Sequence, residues 1–398
     1  MNFADERFSS PSLRALLALA VVFVMLSTTG WTALRHHQGD NDAKSVALAA
    51  WRHGTVGGRA LPDPQAGAKA LARFFGTLAP KQAQRLAKRY PLIVGNLNGA
   101  PLALRYQANR IALGTERARE NARSHSPLLT TEGRQDAAGR ASRYASLQRP
   151  GRQILAFDPA GRGRVAEVFG DLQHAHRVSI VVPGVDTDVM SFERTALPYR
   201  APVGMARSLY GAERAADPRA RTAVIAWADW TTPLGVGLDA STGELAEQGA
   251  VRLTALVGAL PTRGDVALFC HSYGSVLCGV AAPGLPAGRV SDITVFGSPG
   301  MRVDRAADLR TGARVWATRD SSDWIGDVPH LEIAGLGHGA DPVSRDFGAR
   351  VVSSDGAEGH AGYFRSGTGS LANFTRIALG RFPDIRCAQG RSCTAGVA

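Results

Sequence analysis

The chain has 398 residues, a formal net charge of +12 at pH 7 and 44% hydrophobic residues. This length accommodates one large domain with additions or two ordinary domains, and the hydrophobic content excludes a globally disordered chain. The positive charge does not indicate a nucleic-acid site, because no block of basic residues interleaves with aromatic ones. We therefore expect a globular protein with no nucleic-acid partner.

The N-terminal region contains an uncharged, largely apolar stretch, residues 15–34, between Arg14 and Arg35. Its length of about twenty residues suffices to cross a hydrocarbon core. Its most apolar part also fits a signal peptide, although the following STTGWTAL has no clean small-x-small cleavage site. We predict a signal anchor or signal peptide over 1–35, hence a domain that is membrane-anchored outside the cytoplasm or secreted. A buried helix of the fold is the alternative.

A linker and a helical module are predicted over 36–143. Segments such as AGAKALARFF and ALRYQANRIAL have helical spacing, and Pro80 and Pro91 interrupt them. Because the module precedes the apolar strands described next, we interpret it as a structural brace rather than a lid.

From residue 144 the pattern changes to short apolar runs separated by helical stretches, which predicts an α/β domain over 144–386 and a tail over 387–398. Continuous apolar strands that alternate with helices are typical of a mostly parallel sheet covered on both faces. Such sheets bind ligands at the carboxyl ends of their strands. The predicted strands are 154–157, 165–169, 179–183, 223–227, 265–269, 293–296, 314–318 and 350–354, and the predicted helices are 192–210, 244–260, 275–282 and 371–379.

The segment DVALFCHSYGSVLCGVAA has the strand–turn–helix pattern of a nucleophile elbow. Ser272 would lie at the apex, with Gly274 as the small residue two positions later. Cys270 stands where an elbow usually has its first glycine, and as a nucleophile it is a weaker candidate because it belongs to the strand end. Ser298 also follows a strand, but Pro299 after it has no N–H to donate to an oxyanion.

A serine nucleophile needs a general base and an acid that orients the base, and in elbow enzymes they follow in the chain order serine, acid, histidine. The loop after the strand 314–318 offers three aspartates, of which we prefer Asp323, with Asp320 second and Asp327 third. His360 follows the last strand and is the preferred base. His338, which precedes that strand, is the alternative.

Two backbone N–H groups are predicted to form the oxyanion hole. Tyr273 follows the nucleophile, and Val185 lies in the loop after the strand 179–183, where Gly184 allows a close approach. Asp186 and Asp188 in the same loop would cap the next helix or bind a substrate hydroxyl.

The four cysteines do not indicate a metal site, because there is no C-x-x-C pair and no metal-type spacing. Cys387 and Cys393 are close enough to pair in an oxidising compartment, and their pairing stays open. Cys270 and Cys278 are expected to be buried, inert thiols. We expect no metal and no cofactor.

Several blocks match a known pattern in order along the chain: residues 78–113, ILAFDPAGRGRVAEVFGD, VVPGVDTDVMSF, AVIAW, CHSYGS, VFGSPGMRVDRAADL, HGADP and GHAGYF. Together they resemble an actinobacterial α/β-hydrolase family of largely unassigned substrate, with a GHSYGS-type nucleophile elbow. The resemblance implies an α/β-hydrolase fold: a mostly parallel eight-stranded sheet with helices on both faces, preceded by a helical N-terminal module. It also implies Ser272 as nucleophile, His360 as base and an acid within 320–327. Cys270 and the segment ADWTTP, residues 228–233, depart from the family pattern.

We therefore expect a serine hydrolase that acts on a carboxyl ester or related acyl substrate, either a small molecule or a lipid, through an acyl-enzyme on Ser272. An acyltransferase with the same catalytic residues is one alternative, and an inactive hydrolase-fold binding protein is another.

Overall fold

The computed structural model describes residues 43–262 and 264–397. The predicted signal anchor or signal peptide, 1–35, lies outside the described residues. Within the described ranges, no helix is both long enough and apolar enough to span a bilayer.

The first part of the described chain is helical, as predicted, with one short hairpin that the sequence did not indicate. Two of its helices begin at Pro80 and Pro91, where the missing N–H is harmless because the first turn has no intrahelical acceptor for it. The helices are α1 (Ala43–Arg52), α2 (Ala68–Gly76), α3 (Pro80–Arg89), α4 (Pro91–Val94), α5 (Leu102–Ser124) and α6 (Thr131–Leu147), and the hairpin is β1 (Thr55–Val56) and β2 (Arg59–Ala60).

The predicted eight-stranded, mostly parallel sheet is confirmed, and each predicted strand has its counterpart. The strands are β3 (Gln153–Asp158), β4 (Arg164–Gly170), β5 (Arg177–Val182), β6 (Thr222–Ala228), β7 (Asp265–His271), β8 (Val290–Phe296), β9 (Arg314–Thr318) and β12 (Arg350–Val351). Their spatial order is β12-β9-β8-β7-β5-β6-β4-β3. Strand β4 is antiparallel to both of its neighbours, and the other neighbouring pairs are parallel.

A separate two-stranded hairpin, β10 (Glu332–Ile333) and β11 (Leu336–Gly337), lies between β9 and β12 in the chain. The helices of this part are α7 (Pro202–Ala216), α8 (Leu238–Ser241), α9 (Glu244–Ala259), α10 (Tyr273–Ala281) and α11 (Gly369–Leu379). The prediction of a helix beginning at 192 was wrong, because α7 begins only at Pro202. Prolines 198 and 202 restrict the residues before them to extended backbone, so a helix cannot run through that stretch.

Both faces of the sheet carry buried apolar layers. One layer packs against α9 and α10, and the other packs against α7 and α11. Successive residues of the central strand β7 alternate between them, with Leu268 in the first layer and Phe269 in the second. The sheet is thereby covered on both sides, and its loops at the carboxyl ends of the strands remain free to form a site.

The helical module covers the edge strand β3. The Asn96 side chain accepts a hydrogen bond from the Phe157 N–H (3.1 Å) and donates one to the Phe157 carbonyl (2.7 Å). Arg105 and Asn109 each donate to a further β3 carbonyl, both at 2.9 Å. An uncovered edge strand exposes unpaired backbone groups, so this contact is what a structural brace would supply.

The C-terminal tail is closed by a disulfide between Cys387 and Cys393, a pairing that the sequence left open. The tail also pairs with the end of the sheet through a bridge between Val352 and Cys387.

Candidate active site

Ser272 occupies the turn between β7 and α10 with a strained backbone. Its φ is 52° and its ψ is −129°, a region that non-glycine residues rarely adopt. A Cβ atom at Gly274 would lie 2.6 Å from the Val182 carbonyl oxygen and 2.7 Å from that of Pro183, so only glycine fits two residues after the serine. These features are those that a nucleophile elbow requires.

Cys270 is joined to Cys278 on α10 by a disulfide, so the prediction of two inert thiols was wrong. Both side chains are fully buried. The bond links the strand, two residues before Ser272, to the helix that follows it. The spacing of eight residues is neither a C-x-x-C pair nor a metal-type spacing, and the pairing arises because the strand and the helix pack side by side.

His360 and Asp323 form a hydrogen-bonded pair, with 2.8 Å between His360 Nδ1 and Asp323 Oδ1. The Tyr363 hydroxyl donates to the other carboxylate oxygen at 2.5 Å, and the Ile325 N–H donates to Oδ1 at 3.1 Å. Burial acts to raise the pKa of Asp323, but its hydrogen bonds and its interaction with His360 outweigh burial and hold the pKa below its usual value. An ionised Asp323 favours a proton on His360 Nδ1, which leaves Nε2 free to accept one.

The other two aspartates of the loop have different positions. Asp320 accepts hydrogen bonds from the backbone N–H groups of Ser322 (3.1 Å) and Gly359 (3.0 Å), so it holds the turn that leads into His360. Asp327 ends a short 3-10 helix, Trp324–Asp327. Asp323, the preferred acid in the sequence analysis, is the one that contacts the histidine.

The competing base and the competing nucleophile are engaged elsewhere. His338 Nε2 donates to the Ala240 carbonyl at 2.7 Å. The Ser298 hydroxyl is buried and exchanges hydrogen bonds with the backbone of Gly300. In the ranges that the structure describes, no group of three or more His, Cys, Asp or Glu side chains is arranged to hold a metal ion.

His271, to which the sequence analysis gave no role, connects the elbow to the histidine. Its Nε2 donates to the His360 carbonyl at 2.7 Å, and the two rings lie 4.6 Å apart. Burial lowers the pKa of His271 to about 3, so it stays neutral.

Among the described residues, no hydrogen bond joins the Ser272 hydroxyl to the His360 ring. Such bonds often tighten only when substrate binds.

The loop after β5 passes directly beside the nucleophile position. A Cβ atom at Gly184 would lie 2.6 Å from Ser272 Cβ and 3.1 Å from its Oγ, so Val185 follows the closest point of approach. The loop is fixed by Thr232, which accepts from the Thr187 N–H (3.0 Å) and donates to its carbonyl (2.9 Å). The loop is therefore held in position beside the turn.

The two aspartates of this loop bind backbone groups. Asp188 accepts from the N–H groups of Met190 (2.9 Å) and Ser191 (2.8 Å) within a turn, so it caps no helix: the next α-helix, α7, begins only at Pro202. Asp186 accepts from the Gly235 N–H at 2.8 Å.

Comparisons with known proteins agree with this architecture. A family model described as "Alpha/beta hydrolase" matches residues 158–333. An uncharacterized protein of Mycobacterium tuberculosis is 27% identical over 378 residues, which cover 80% of this chain and 57% of that protein. An uncharacterized protein of Mycobacterium bovis is 30% identical over 180 residues, which cover 43% of this chain and 66% of that protein. The chain has the α/β-hydrolase fold.

The crystal structure of the 2,6-dihydroxy-pseudo-oxynicotine hydrolase also matches, with 14% identity, a TM-score of 0.30 and coverage of 66% of this chain and 78% of that one. The chain spans 57% of the length of the Mycobacterium tuberculosis relative. The matches are thus to an α/β-hydrolase family model and to mycobacterial proteins without an assigned function.

Proposed function

We propose that the protein is a serine hydrolase that cleaves a carboxyl ester or a related acyl bond through an acyl-enzyme on Ser272. The observation that carries the proposal is the His360–Asp323 hydrogen bond of 2.8 Å. This pair lies in the loops that follow β12 and β9, and Ser272 follows β7 in the same parallel part of the sheet. The carboxyl ends of parallel strands meet at one edge, so all three side chains belong to that edge.

In the proposed reaction Ser272 Oγ attacks the acyl carbon while His360 Nε2 takes the hydroxyl proton. Asp323 stabilises the resulting imidazolium, which then gives its proton to the departing alcohol oxygen. Water attacks the acyl-enzyme with His360 again as base, and the carboxylic acid leaves as the serine regains its proton. In each half of the reaction His360 therefore takes up one proton and releases one proton.

Two backbone N–H groups are proposed to stabilise the oxyanion. Tyr273 is the first residue of α10, where a backbone N–H has no intrahelical acceptor and the helix dipole favours negative charge. Val185 follows Gly184, the residue that approaches Ser272 most closely. Removal of one such donor typically costs about 10²–10³ in kcat.

We also propose that the protein is exported and either membrane-anchored or secreted. The uncharged stretch 15–34 supports this, together with the disulfides Cys270–Cys278 and Cys387–Cys393. Disulfides persist in oxidising compartments and are rare in the cytosol.

The test is labelling of the full-length protein with a fluorophosphonate probe, followed by peptide mass spectrometry. Labelling is expected at Ser272 and is expected to disappear in Ser272→Ala and His360→Ala. Ser298→Ala, which removes another serine that follows a strand, should label normally. A folded protein that does not label would contradict the hydrolase and favour the inactive binding protein. Transfer of an acyl group to an added alcohol in excess of hydrolysis would instead identify an acyltransferase.

A further inference from the structure

Exposed apolar side chains are concentrated around the candidate active site. Scattered single ones are normal, but a cluster at one place indicates a binding surface. The described residues include twelve exposed large apolar side chains, and seven of them lie on three segments near Ser272. These segments are the loop 229–243 after β6 (the β6 loop), the 3-10 helix after β9, and residues 331–338 (the hairpin segment). The seven side chains, named here the apolar rim, are Leu234, Val236, Leu238, Trp324, Leu331, Ile333 and Leu336.

The β6 loop is attached to the site at two points. The Asp186 backbone N–H donates to the Pro233 carbonyl at 2.9 Å, and its carboxylate accepts from the Gly235 N–H at 2.8 Å. At the other end of the loop, the Tyr273 hydroxyl donates to the Thr242 carbonyl at 2.6 Å. The loop is therefore held between the predicted oxyanion loop and the residue that follows Ser272.

The hairpin segment presents two apolar side chains together. Ile333 and Leu336 are direct cross-strand partners, so they project from the same face of the hairpin. The turn between them consists of Ala334 and Gly335, both with positive φ, 51° and 83°, as a tight two-residue hairpin requires. Both side chains are exposed, and Ile333 is exposed to 66%.

The three segments meet around the site. The hairpin segment is joined to the β6 loop by the hydrogen bond from His338 Nε2 to the Ala240 carbonyl. The Trp324 ring packs against the His360 ring, with 4.9 Å between centroids. The segments that carry the apolar rim therefore lie beside the residues that are proposed to act on the substrate.

Two of the three rim segments carry little charge in a strongly basic chain. The β6 loop and the hairpin segment contain no lysine or arginine, although the chain has a net charge of +12. Two of their three acids are paired, Asp229 with Arg252 at 2.6 Å and Glu332 with Arg302 at 2.7 Å, and Asp239 is the third. A polyanionic partner would need cations here, so the rim fits a neutral, apolar phase.

We propose that the apolar rim binds the surface of a lipid assembly, and that the substrates are carboxyl esters of lipids with hydrocarbon chains held in that surface. The substrate class rests on the proposed serine hydrolase function. A lipid surface is the occupant that both covers the rim and delivers an ester to Ser272, whereas a protein seated on the rim would block the site. The uncharged stretch 15–34, predicted to anchor the chain, would attach the protein to a membrane, where lipid esters are available.

The first experiment compares hydrolysis of p-nitrophenyl butyrate in solution with that of p-nitrophenyl palmitate in phosphatidylcholine vesicles, with the full-length protein. The variant Val236→Ser/Ile333→Ser/Leu336→Ser should lower the ratio of vesicle rate to solution rate at least about tenfold, because three apolar contacts with lipid are lost. The matched control Leu128→Ser/Val251→Ser removes exposed apolar side chains outside the rim and should leave the ratio unchanged.

The second experiment needs no catalysis. Vesicles of brominated phosphatidylcholine should quench the fluorescence of Trp324. The wild-type protein should therefore lose more tryptophan fluorescence to these vesicles than the Trp324→Phe variant does. Subtraction of the Trp324→Phe signal removes the other five tryptophans, and the triple variant should reduce the remaining quenching.

Three results separate the possibilities. An unchanged ratio together with an unquenched Trp324 would overturn the proposal. A triple variant that changes a dimer into a monomer with the same ratio would show that a second copy covers the rim, which also overturns it. If the vesicles quench Trp324 but the protein cleaves neither ester and does not label at Ser272, lipid binding is supported and the serine hydrolase is contradicted.

Discussion

At the scale of single residues, the Asp323 carboxylate is bonded at both oxygens, by His360 and by Tyr363. The effects of replacing Asp323 and the nearby Asp320 on kcat can therefore be compared. Asp323→Asn should lower kcat on the order of 10³–10⁴-fold, because an amide supports the wrong histidine tautomer. The matched variant Asp320→Asn, which alters a turn contact and not the histidine contact, should lower kcat less than about tenfold. Steady-state ester hydrolysis measures both, and equal losses would remove the distinction between the two aspartates.

Glu213 is a buried acid far from this chemistry. It lies on α7, and Ser179 Oγ donates to its carboxyl at 3.0 Å. Burial raises the pKa of Glu213 from 4.5 to about 7. Between these two pH values the unfolded chain carries the ionised acid while the folded chain keeps the proton. The free energy of unfolding therefore falls as the pH rises through this window, in total by about 3 kcal/mol.

Glu213→Gln should remove this pH dependence. Relative to the wild type, the variant should gain about 2–3 kcal/mol of stability between pH 5 and pH 8, since the amide does not ionise. Urea unfolding at several pH values measures the difference. The exposed Glu247→Gln should follow the wild-type curve, and a Glu213→Gln curve parallel to the wild type would contradict the assignment.

The residues of the site were partly predictable. Ser272, Asp323 and His360 each follow an apolar strand in the expected order, so the chain pattern favours them, but it left Asp320, Asp327 and His338 as alternatives. The roles of Tyr363 and His271 could not be predicted, because they depend on contacts across 40 and 89 residues of sequence.

At the scale of elements, the disulfide Cys270–Cys278 joins β7 to α10 across the strained turn. Strained backbone persists only where the surrounding structure holds it, so this bond should help to fix Ser272. The pair Cys387–Cys393 closes a ring of similar size in the tail. Its two cysteines are 6 residues apart in sequence, and those of Cys270–Cys278 are 8 residues apart. In the chain-entropy model both bonds then stabilise the fold by about 2–3 kcal/mol.

Replacing each pair by alanine therefore distinguishes stability from positioning. Both double variants should lose similar stability in urea, but only Cys270→Ala/Cys278→Ala should slow fluorophosphonate labelling of Ser272 under conditions where both are folded. Cys270→Gly/Cys278→Ala, which restores the usual elbow glycine, should recover part of the rate. Equal labelling rates in the two alanine variants would show that the Cys270–Cys278 bond stabilises the fold without positioning Ser272.

The strands were predictable because each is a short, mostly apolar run, although β4 includes Glu167, whereas two other features were not. The hairpin β10–β11 has only two residues in each strand, which is too short for any periodicity. The start of α7 was misplaced because apolar residues before Pro202, such as Phe192, are buried without being helical.

At the scale of the whole molecule, the helical module and the sheet share a buried polar seam along β3. Asn109 is fully buried there and donates to the carbonyls of Gly95 (3.0 Å) and Ile154 (2.9 Å). Asn109→Ala should lower the free energy of unfolding by about 2–4 kcal/mol, because two buried carbonyls lose their donor. The neighbouring exposed Arg110→Ala should change it by less than about 0.5 kcal/mol. Equal effects in urea unfolding would mean that the seam contributes little.

The buried disulfide beside Ser272 also constrains how the protein is made. Both sulfur atoms lie inside the apolar layer under α10 and have no contact with solvent. An oxidant or a disulfide-exchange enzyme cannot reach them once the strand and the helix have packed. The newly synthesised chain must therefore meet its oxidant before the sheet closes, and a chain that folds first in a reducing compartment buries two thiols that later oxidation cannot join.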